Sequence, residues 1–257
     1  MSEPLWSPSP ERVSAANLTT FREQAARRYH RELLDFAALY AWSIEQPREF
    51  WPAVWSHCDV VSHRKWDTVL EHEDRMPGAE WFRGAELNFA ENLLRWRDDR
   101  TALVFDNELG QRRDFSHREL YDEVRRLAAA LRAVGVATGD RVAGMLPNMP
   151  EAVIAMLATA SIGAIWSSCS PDFGFAGVMD RFGQIEPQVL IAADGYPYGG
   201  KRFNVLDRVA QVSQQIGSLK QVVIVDYLSD DPQIADIRGG VLWRDFIQMP
   251  DPDPLAF

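Results

Sequence analysis

RVAGMLPNMPEAVIAMLATASIGAIWSS, residues 141–168, decides the fold. Its first part, 141–146, is a short apolar run typical of a strand buried on both faces. Pro150 and Glu151 suit the first turn of a helix, and the apolar residues that continue to Ile162 predict that helix, which Gly163 closes. Residues 164–168 predict a second strand. A strand, a helix and another strand in succession predict a parallel βαβ unit.

The same alternation continues downstream. Ser170-Pro-Asp172 predicts the start of a further helix, 189–193 a third strand, 203–216 a helix and 221–225 a fourth strand. Strands alternating with helices indicate an α/β fold with a mostly parallel sheet flanked by helices.

Upstream of this region, a hairpin and a capped helix are predicted. Residues 101–105 and 112–115 form strand patterns on either side of a turn at Asn107–Gly110. Ser116 and Glu119 have the spacing of a capping box, which predicts that a helix begins there. Gly135 suits the position just past its end, where glycine adopts a left-handed conformation most cheaply.

Residues 1–98 differ in composition from the rest of the chain. They show little strand periodicity, and we expect a helix at 16–42 and a short helix punctuated by Pro47 and Pro52. We therefore predict an N-terminal extension at 1–98 and a second domain at 99–257. The extension holds seven of the nine tryptophans: Trp6, Trp42, Trp51, Trp55, Trp66, Trp81 and Trp96.

Charge and cysteine content restrict the function classes. The net charge of -10 argues against binding to nucleic acid or to an anionic membrane surface. Cys58 and Cys169 lie far apart and form no disulfide framework, which is typical of a reducing compartment. With no signal peptide pattern and no membrane-length apolar run, a cytoplasmic location is expected.

The sequence predicts no metal site and no catalytic residue. None of the five histidines shows a metal-ligand spacing with cysteine or carboxylate residues. A Ser/His/Asp or Cys/His site cannot be assembled from them either.

The sharpest local motif is Gly195-Tyr-Pro-Tyr-Gly-Gly-Lys-Arg202. It resembles the phosphate loop G-x-x-x-x-G-K-[ST], but Arg202 replaces the hydroxyl residue that ligates Mg²⁺. Two glycines and two cations at the start of the expected helix suggest an anion site, and a solvated turn stays open as the alternative. Asp194 is interpreted as a strand-end turn residue or as a ligand of a ribose hydroxyl.

Several linked motifs resemble the adenylate-forming superfamily of acyl-CoA synthetases. Residues 81–94, WFRGAELNFAENLL, resemble an opening segment of the members that act on short acids, and 136–152, VATGDRVAGMLPNMPEA, the first core motif. Residues 166–174, WSSCSPDFG, are closer to acetoacetyl-CoA synthetases than to acetyl-CoA synthetases. The resemblance implies that 99–257 is the first part of the AMP-binding domain, ending before the phosphate-binding loop.

The resemblance implies a two-step ligase reaction. A carboxylate, here acetoacetate or a similar short acid, attacks the α-phosphate of ATP, and the thiol of coenzyme A (CoA) then displaces AMP. ATP, Mg²⁺ and CoA are implied for the full-length enzyme, with the missing C-terminal part of the enzyme as a partner. Because no run such as SSGTTGxPK occurs in the sequence, we expect the chain alone to be inactive.

At most, CoA contacts are implied within this chain. The family's basic loop, which binds the nucleotide end of CoA, corresponds to Tyr198, Gly199, Gly200, Lys201 and Arg202. Tyr198 and Lys201 stand where the family pattern has arginines. Ser167 and Ser168 correspond to a strand end at the adenine-side wall.

Two other functions stay open. The chain could be a non-catalytic module that binds CoA or another protein. It could also be a P-loop phosphotransferase that uses Gly195–Lys201.

Overall fold

The computed structural model describes residues 5–248 and 252–257, and the chain divides into two compact units, Met1–Leu87 and Asn88–Phe257. The first unit holds α1 (Pro10–Ser14), α2 (Asn17–Tyr29), α3 (Phe36–Glu45), α4 (Pro47–His57), β1 (Thr68–Glu71) and β2 (Glu80–Arg83). The second unit holds α5 (Phe89–Leu93), β3 (Thr101–Asp106), β4 (Arg112–Ser116), α6 (His117–Ala133), β5 (Arg141–Met145), α7 (Pro150–Ser161), β6 (Ile165–Cys169), α8 (Phe175–Ile185), β7 (Val189–Ala193), β8 (Gly195–Tyr198), β9 (Lys201–Asn204), α9 (Leu206–Gln215), β10 (Gln221–Val225), β11 (Gly240–Leu242) and α10 (Trp243–Phe246).

A parallel sheet of five strands organises the second unit. Its order is β11-β10-β7-β5-β6, and each neighbouring pair runs parallel. The α/β fold with a parallel sheet flanked by helices is therefore confirmed.

Alternate residues of each central strand supply two separate cores. In β7, Val189, Ile191 and Ala193 pack into a core with residues of α6 and α7. Leu190 and Ala192 point the other way, into a core with residues of α8 and α9. Because a strand presents successive side chains to opposite faces, an entirely apolar strand needs cover on both sides.

Several local predictions in this unit are confirmed. Strands β3 and β4 form the expected antiparallel hairpin. The capping box is present, since Ser116 Oγ accepts from the Glu119 amide at 3.2 Å and Glu119 Oε2 accepts from the Ser116 amide at 2.8 Å. Gly135 follows α6 with a φ of 81°.

Two helix starts in the second unit were predicted too early. Helix α8 begins at Phe175 rather than at 170–172. The predicted helix 203–216 is α9, which begins at Leu206, because Phe203 and Asn204 belong to β9.

In the first unit, the predicted helix 16–42 is wrong, because two helices occupy this range. Helix α2 ends where His30 adopts a left-handed conformation, with φ 52°. Helix α3 then begins behind Asp35, whose side chain accepts from the Ala38 amide at 2.8 Å. The short helix that contains both prolines is confirmed as α4, and β1 pairs antiparallel with β2.

Buried aromatic residues stabilise the first unit. Trp42 packs beside Phe50, with ring centroids 5.4 Å apart, and its Nε1 donates to Glu49 Oε2 at 3.0 Å. Arg31 donates to both oxygens of the same carboxylate at 3.1 Å. These bonds from Trp42 and Arg31 lower the pKa of Glu49 below its ordinary value, since they favour the ionised form.

Candidate functional site

The strand order creates a crevice at the carboxyl edge of the sheet. From β5 the chain passes through α7 to β6 on one side, and from β6 through α8 to β7 on the other side of β5. The loops that follow β5 and β7 therefore lead away from each other. In open α/β sheets, ligands bind in the crevice outside the carboxyl ends of the strands at such a point.

A groove of about 630 Å³ lies at this position. Its walls come from the loops that follow four sheet strands, together with the turn between β3 and β4. Its lining residues are Phe105, Asp106, Asn107, Glu108, Pro147, Asn148, Ser170, Pro171, Asp172, Tyr196, Pro197, Tyr198 and Tyr227. We call this groove the switch-point crevice.

The motif Gly195–Arg202 forms a β-hairpin beside the switch-point crevice. Strands β8 and β9 pair antiparallel, with Tyr196 opposite Phe203 and Tyr198 opposite Lys201. Gly199 and Gly200 make the connection, with φ values of 58° and 74°. A two-residue turn with both φ values positive matches the right-handed twist of the strands, and glycine adopts it without steric cost.

This hairpin corrects the predicted anion site at a helix start. Lys201 and Arg202 lie in β9, and α9 begins only at Leu206. A phosphate loop needs its glycine-rich turn to lead directly into a helix, so that free amides and the helix dipole converge on the anion. The hairpin lacks that arrangement, and the phosphotransferase interpretation of Gly195–Lys201 is wrong.

The side chains of the hairpin divide between its two faces. Directly paired residues share a face, so Tyr198 and Lys201 lie together at the tip, and both are exposed. Arg202 lies on the opposite face, and its Nη1 donates to the Leu228 carbonyl at 3.4 Å. The two cations therefore do not converge on one point.

Asp194 fixes the base of the hairpin. Its buried carboxylate accepts from the amides of Tyr227, Leu228 and Ser229, at 3.1, 2.9 and 2.9 Å. The structure supports the interpretation of Asp194 as a strand-end turn residue, because three backbone amides donate to its two carboxylate oxygens. Gly195 follows with no space for a side chain, since a Cβ atom would lie 2.3 Å from the Phe203 carbonyl oxygen.

Ser167 and Ser168 lie in β6, an edge strand of the sheet, and their side chains point to opposite faces of the sheet. Ser168 lines a second hollow of about 500 Å³ that shares Pro147, Asn148 and Ser170 with the switch-point crevice. Of the two serines, only Ser168 lines that hollow. The structure thus brings Tyr198 and Ser168 to adjoining hollows.

Cys169 lies beside Ser168 but is a poor nucleophile. Burial raises the pKa of its thiol to about 11, because the thiolate is poorly solvated there. Among residues 5–248 and 252–257, no group of three or more His, Cys, Asp or Glu side chains could hold a metal ion. In the same described part of the chain, no helix is both long and apolar enough to cross a bilayer.

Sequence reasoning missed most of the crevice. Asn148, Asp172 and Tyr227 each come shortly after a predicted strand, which is the one signal that could have identified them. Asn107 and Glu108 come from a distant turn. Only the order of the strands brings these segments together, and periodicity along the chain carries no information about that order.

Comparison with protein families gives two matches. Residues 89–257 match the family described as AMP-binding enzyme. Residues 36–93 match the acetyl-coenzyme A synthetase N-terminus.

Named relatives resemble nearly the whole chain. An acetoacetyl-coenzyme A synthetase of Rhizobium meliloti (strain 1021) is 46% identical over 99% of this chain, and an acetoacetyl-CoA synthetase of Gallus gallus is 38% identical over 96%. The solved structure of the acetoacetyl-CoA synthetase from Streptomyces lividans superposes with a TM-score of 0.90 over 100% of the chain, at 40% identity. The chain spans 39%, 37% and 39% of the lengths of these three proteins.

Proposed function

This chain belongs to the AMP-binding enzyme family, and from that premise we propose that it is part of an ATP-dependent ligase that joins acetoacetate to CoA. The relatives named acetoacetyl-CoA synthetase support the choice of acid, since the similarity extends over 99% of this chain. In the proposed reaction, the carboxylate displaces pyrophosphate from ATP to form an acyl-adenylate. The thiol of CoA then attacks the acyl carbonyl, releasing AMP and a proton.

We assign the binding of CoA in this reaction to the chain. The observation that carries the assignment is the switch-point crevice, where Tyr198 lines one wall and the hollow of Ser168 adjoins it. The hairpin tip adds an exposed ammonium at Lys201 beside an exposed aromatic ring at Tyr198. An aromatic face and a nearby cation suit a nucleotide, whose base stacks and whose phosphates attract positive charge.

No residue of this chain is assigned to ATP or Mg²⁺. We propose that the whole protein binds both of them and that its other region supplies the phosphate-binding loop. Within the chain, the buried Asp194 carboxylate is held by three amides, which leaves it poorly placed to bind a ribose hydroxyl.

Calorimetric titration with CoA tests the binding half of the proposal. We expect the double variant Lys201→Ala with Arg202→Ala to bind CoA about tenfold more weakly than the unmodified chain, because the hairpin loses the Lys201 ammonium at its tip and the longer-range attraction of Arg202 on its other face. The matched control is Arg27→Ala with Lys65→Ala, which removes two exposed cations of the first unit. Equal losses in both double variants would contradict an assignment to the hairpin.

Pyrophosphate exchange tests the catalytic half. With acetoacetate, ATP and Mg²⁺, we expect the purified 257-residue chain to exchange no pyrophosphate into ATP, since its sequence holds no Ser/Thr/Gly-rich loop ending in Lys. CoA binding without exchange fits a CoA-side segment. Exchange above background would show that this chain carries out adenylation by itself.

A further inference from the structure

The tip of the β8–β9 hairpin is in contact with an acidic side chain from another part of the sequence. The Gly200 amide donates to Glu108 Oε2 at 3.4 Å, across 92 positions of the chain. Glu108 is exposed and lines the switch-point crevice.

Both partners of this contact are held in place from the same loop. Asn107 fixes the turn that carries Glu108, because its Oδ1 accepts from the Leu109 and Gln111 amides at 3.0 Å and its Nδ2 donates to the Tyr227 hydroxyl at 2.9 Å. The base of the hairpin is tied to the amides of 227–229 through Asp194. The two turns therefore face each other as a consequence of the fold.

We propose that Glu108 is an anion-mimicking residue that occupies the Gly200 amide and weakens the binding of a ligand phosphate at the hairpin tip. This inference rests on the proposed CoA site. A carboxylate and a phosphate oxygen compete for the same N–H donor, so a phosphate can take the amide only when Glu108 turns away. The carboxylate also repels the phosphate, whereas the Lys201 ammonium attracts it.

Glu108 would act on the 3′-phosphate at the nucleotide end of CoA. A carboxylate about 5 Å from a phosphate with a charge near -2 opposes binding by about three- to fivefold after screening by physiological salt. Removing that carboxylate should tighten the binding of CoA by this factor. Dephospho-CoA lacks the 3′-phosphate, and its affinity should stay the same.

Calorimetric titration of four proteins tests the proposal: the unmodified chain, Glu108→Gln, Glu108→Ala and Asp114→Asn. Asp114 is the matched control, since it is an exposed carboxylate of the same β3–β4 hairpin, pairs with Arg112 at 3.3 Å and is not among the residues that line the crevice. We expect both Glu108 variants to bind CoA about three- to fivefold more tightly and Asp114→Asn to change affinity less than twofold. Circular dichroism and the urea midpoint check that all four proteins are folded.

The outcomes separate this inference from the proposal on which it rests. If the unmodified chain binds CoA and both Glu108 variants bind it equally well, the role of Glu108 is refuted while the CoA site stands. An equal gain for CoA and dephospho-CoA would also overturn it, because the phosphate would not be the group sensed. If none of the four proteins binds CoA, the CoA site itself fails, and the inference with it.

Discussion

Replacing Arg113 by alanine should destabilise the second unit by about 2–3 kcal/mol. Arg113 extends from β4 to the first turn of α7, where its two terminal nitrogens donate to the two oxygens of Glu151, at 2.6 and 2.9 Å. The Glu151 side chain is 8% exposed and the Arg113 side chain 41% exposed. Hydrogen bonding to Glu151 raises the pKa of Arg113 further, so the guanidinium is charged throughout the range in which the protein folds.

Because Glu151 is buried and Arg113 is partly exposed, replacing Arg113 should lower the free energy of unfolding more than replacing Glu151. Breaking a fully buried pair costs about 3–5 kcal/mol, because one charge stays desolvated. In Arg113→Ala the buried Glu151 carboxylate is the group left behind, and water that enters the space of the lost side chain reduces the cost to the stated range. Glu151→Gln should cost only about 1 kcal/mol, because Arg113 is exposed enough to be hydrated and still finds an acceptor in the amide.

Urea unfolding at pH 7, followed by circular dichroism, measures these costs, and hydrogen exchange of peptides from β4 and α7 locates them. Arg112→Ala is the control, since Arg112 belongs to the same strand but pairs with Asp114 at 3.3 Å between exposed side chains. That pair should contribute less than about 0.5 kcal/mol. The reasoning is refuted if Arg113→Ala costs no more than Arg112→Ala, or if Glu151→Gln costs more than Arg113→Ala.

Three further predictions concern packing, thiol reactivity and the base of the hairpin. Gly144→Ala should cost about 2–3 kcal/mol, because the new Cβ would lie 2.4 Å from the Trp166 ring, whereas Gly217→Ala, which meets nothing within 4 Å, should be nearly neutral in urea unfolding. Iodoacetamide at pH 7.5 should modify exposed Cys58 but not buried Cys169, whose thiol pKa is about 11. Mass spectrometry of the labelled peptides measures this difference, and equal labelling of both cysteines in the folded protein would contradict it. Asp194→Asn should speed hydrogen exchange at the amides of 227–229 while leaving the β5 amides protected, because an amide side chain cannot accept from three donors as a carboxylate does. Unchanged exchange at 227–229 would show that Asp194 does not hold that loop.

Sequence patterns predicted those elements whose signals are local. Strand β7 is a run of five apolar residues, and the capping box at Ser116 and Glu119 depends on residues three positions apart, so both were identified correctly. The helix boundary at 30–35 was missed, although Asp35 before Phe36 has the form of an N-cap. There the apolar spacing from Phe21 to Tyr40 continues across the break and hides it.

The candidate site was predicted less well, for two reasons. The β8–β9 hairpin carries a local signal, since Gly199-Gly200 between aromatic and basic residues is typical of a two-residue turn. Its resemblance to a phosphate loop led to the wrong helix start. The crevice carries one weak local signal, the position of Asp172 and Tyr227 shortly after predicted strands. That signal cannot show that Glu108, Asp172 and Tyr227 line one groove, because this depends on the order of the strands.

That strand order also bears on how the sheet is made during synthesis. In chain order, β6 adds beside β5, β7 adds to the free edge of β5, β10 to that of β7, and β11 to that of β10. No strand of this sheet has to insert between two strands that are already paired. Each strand after β5 is therefore translated after the strand beside which it lies, and the sheet can form without separating any pair of strands already made.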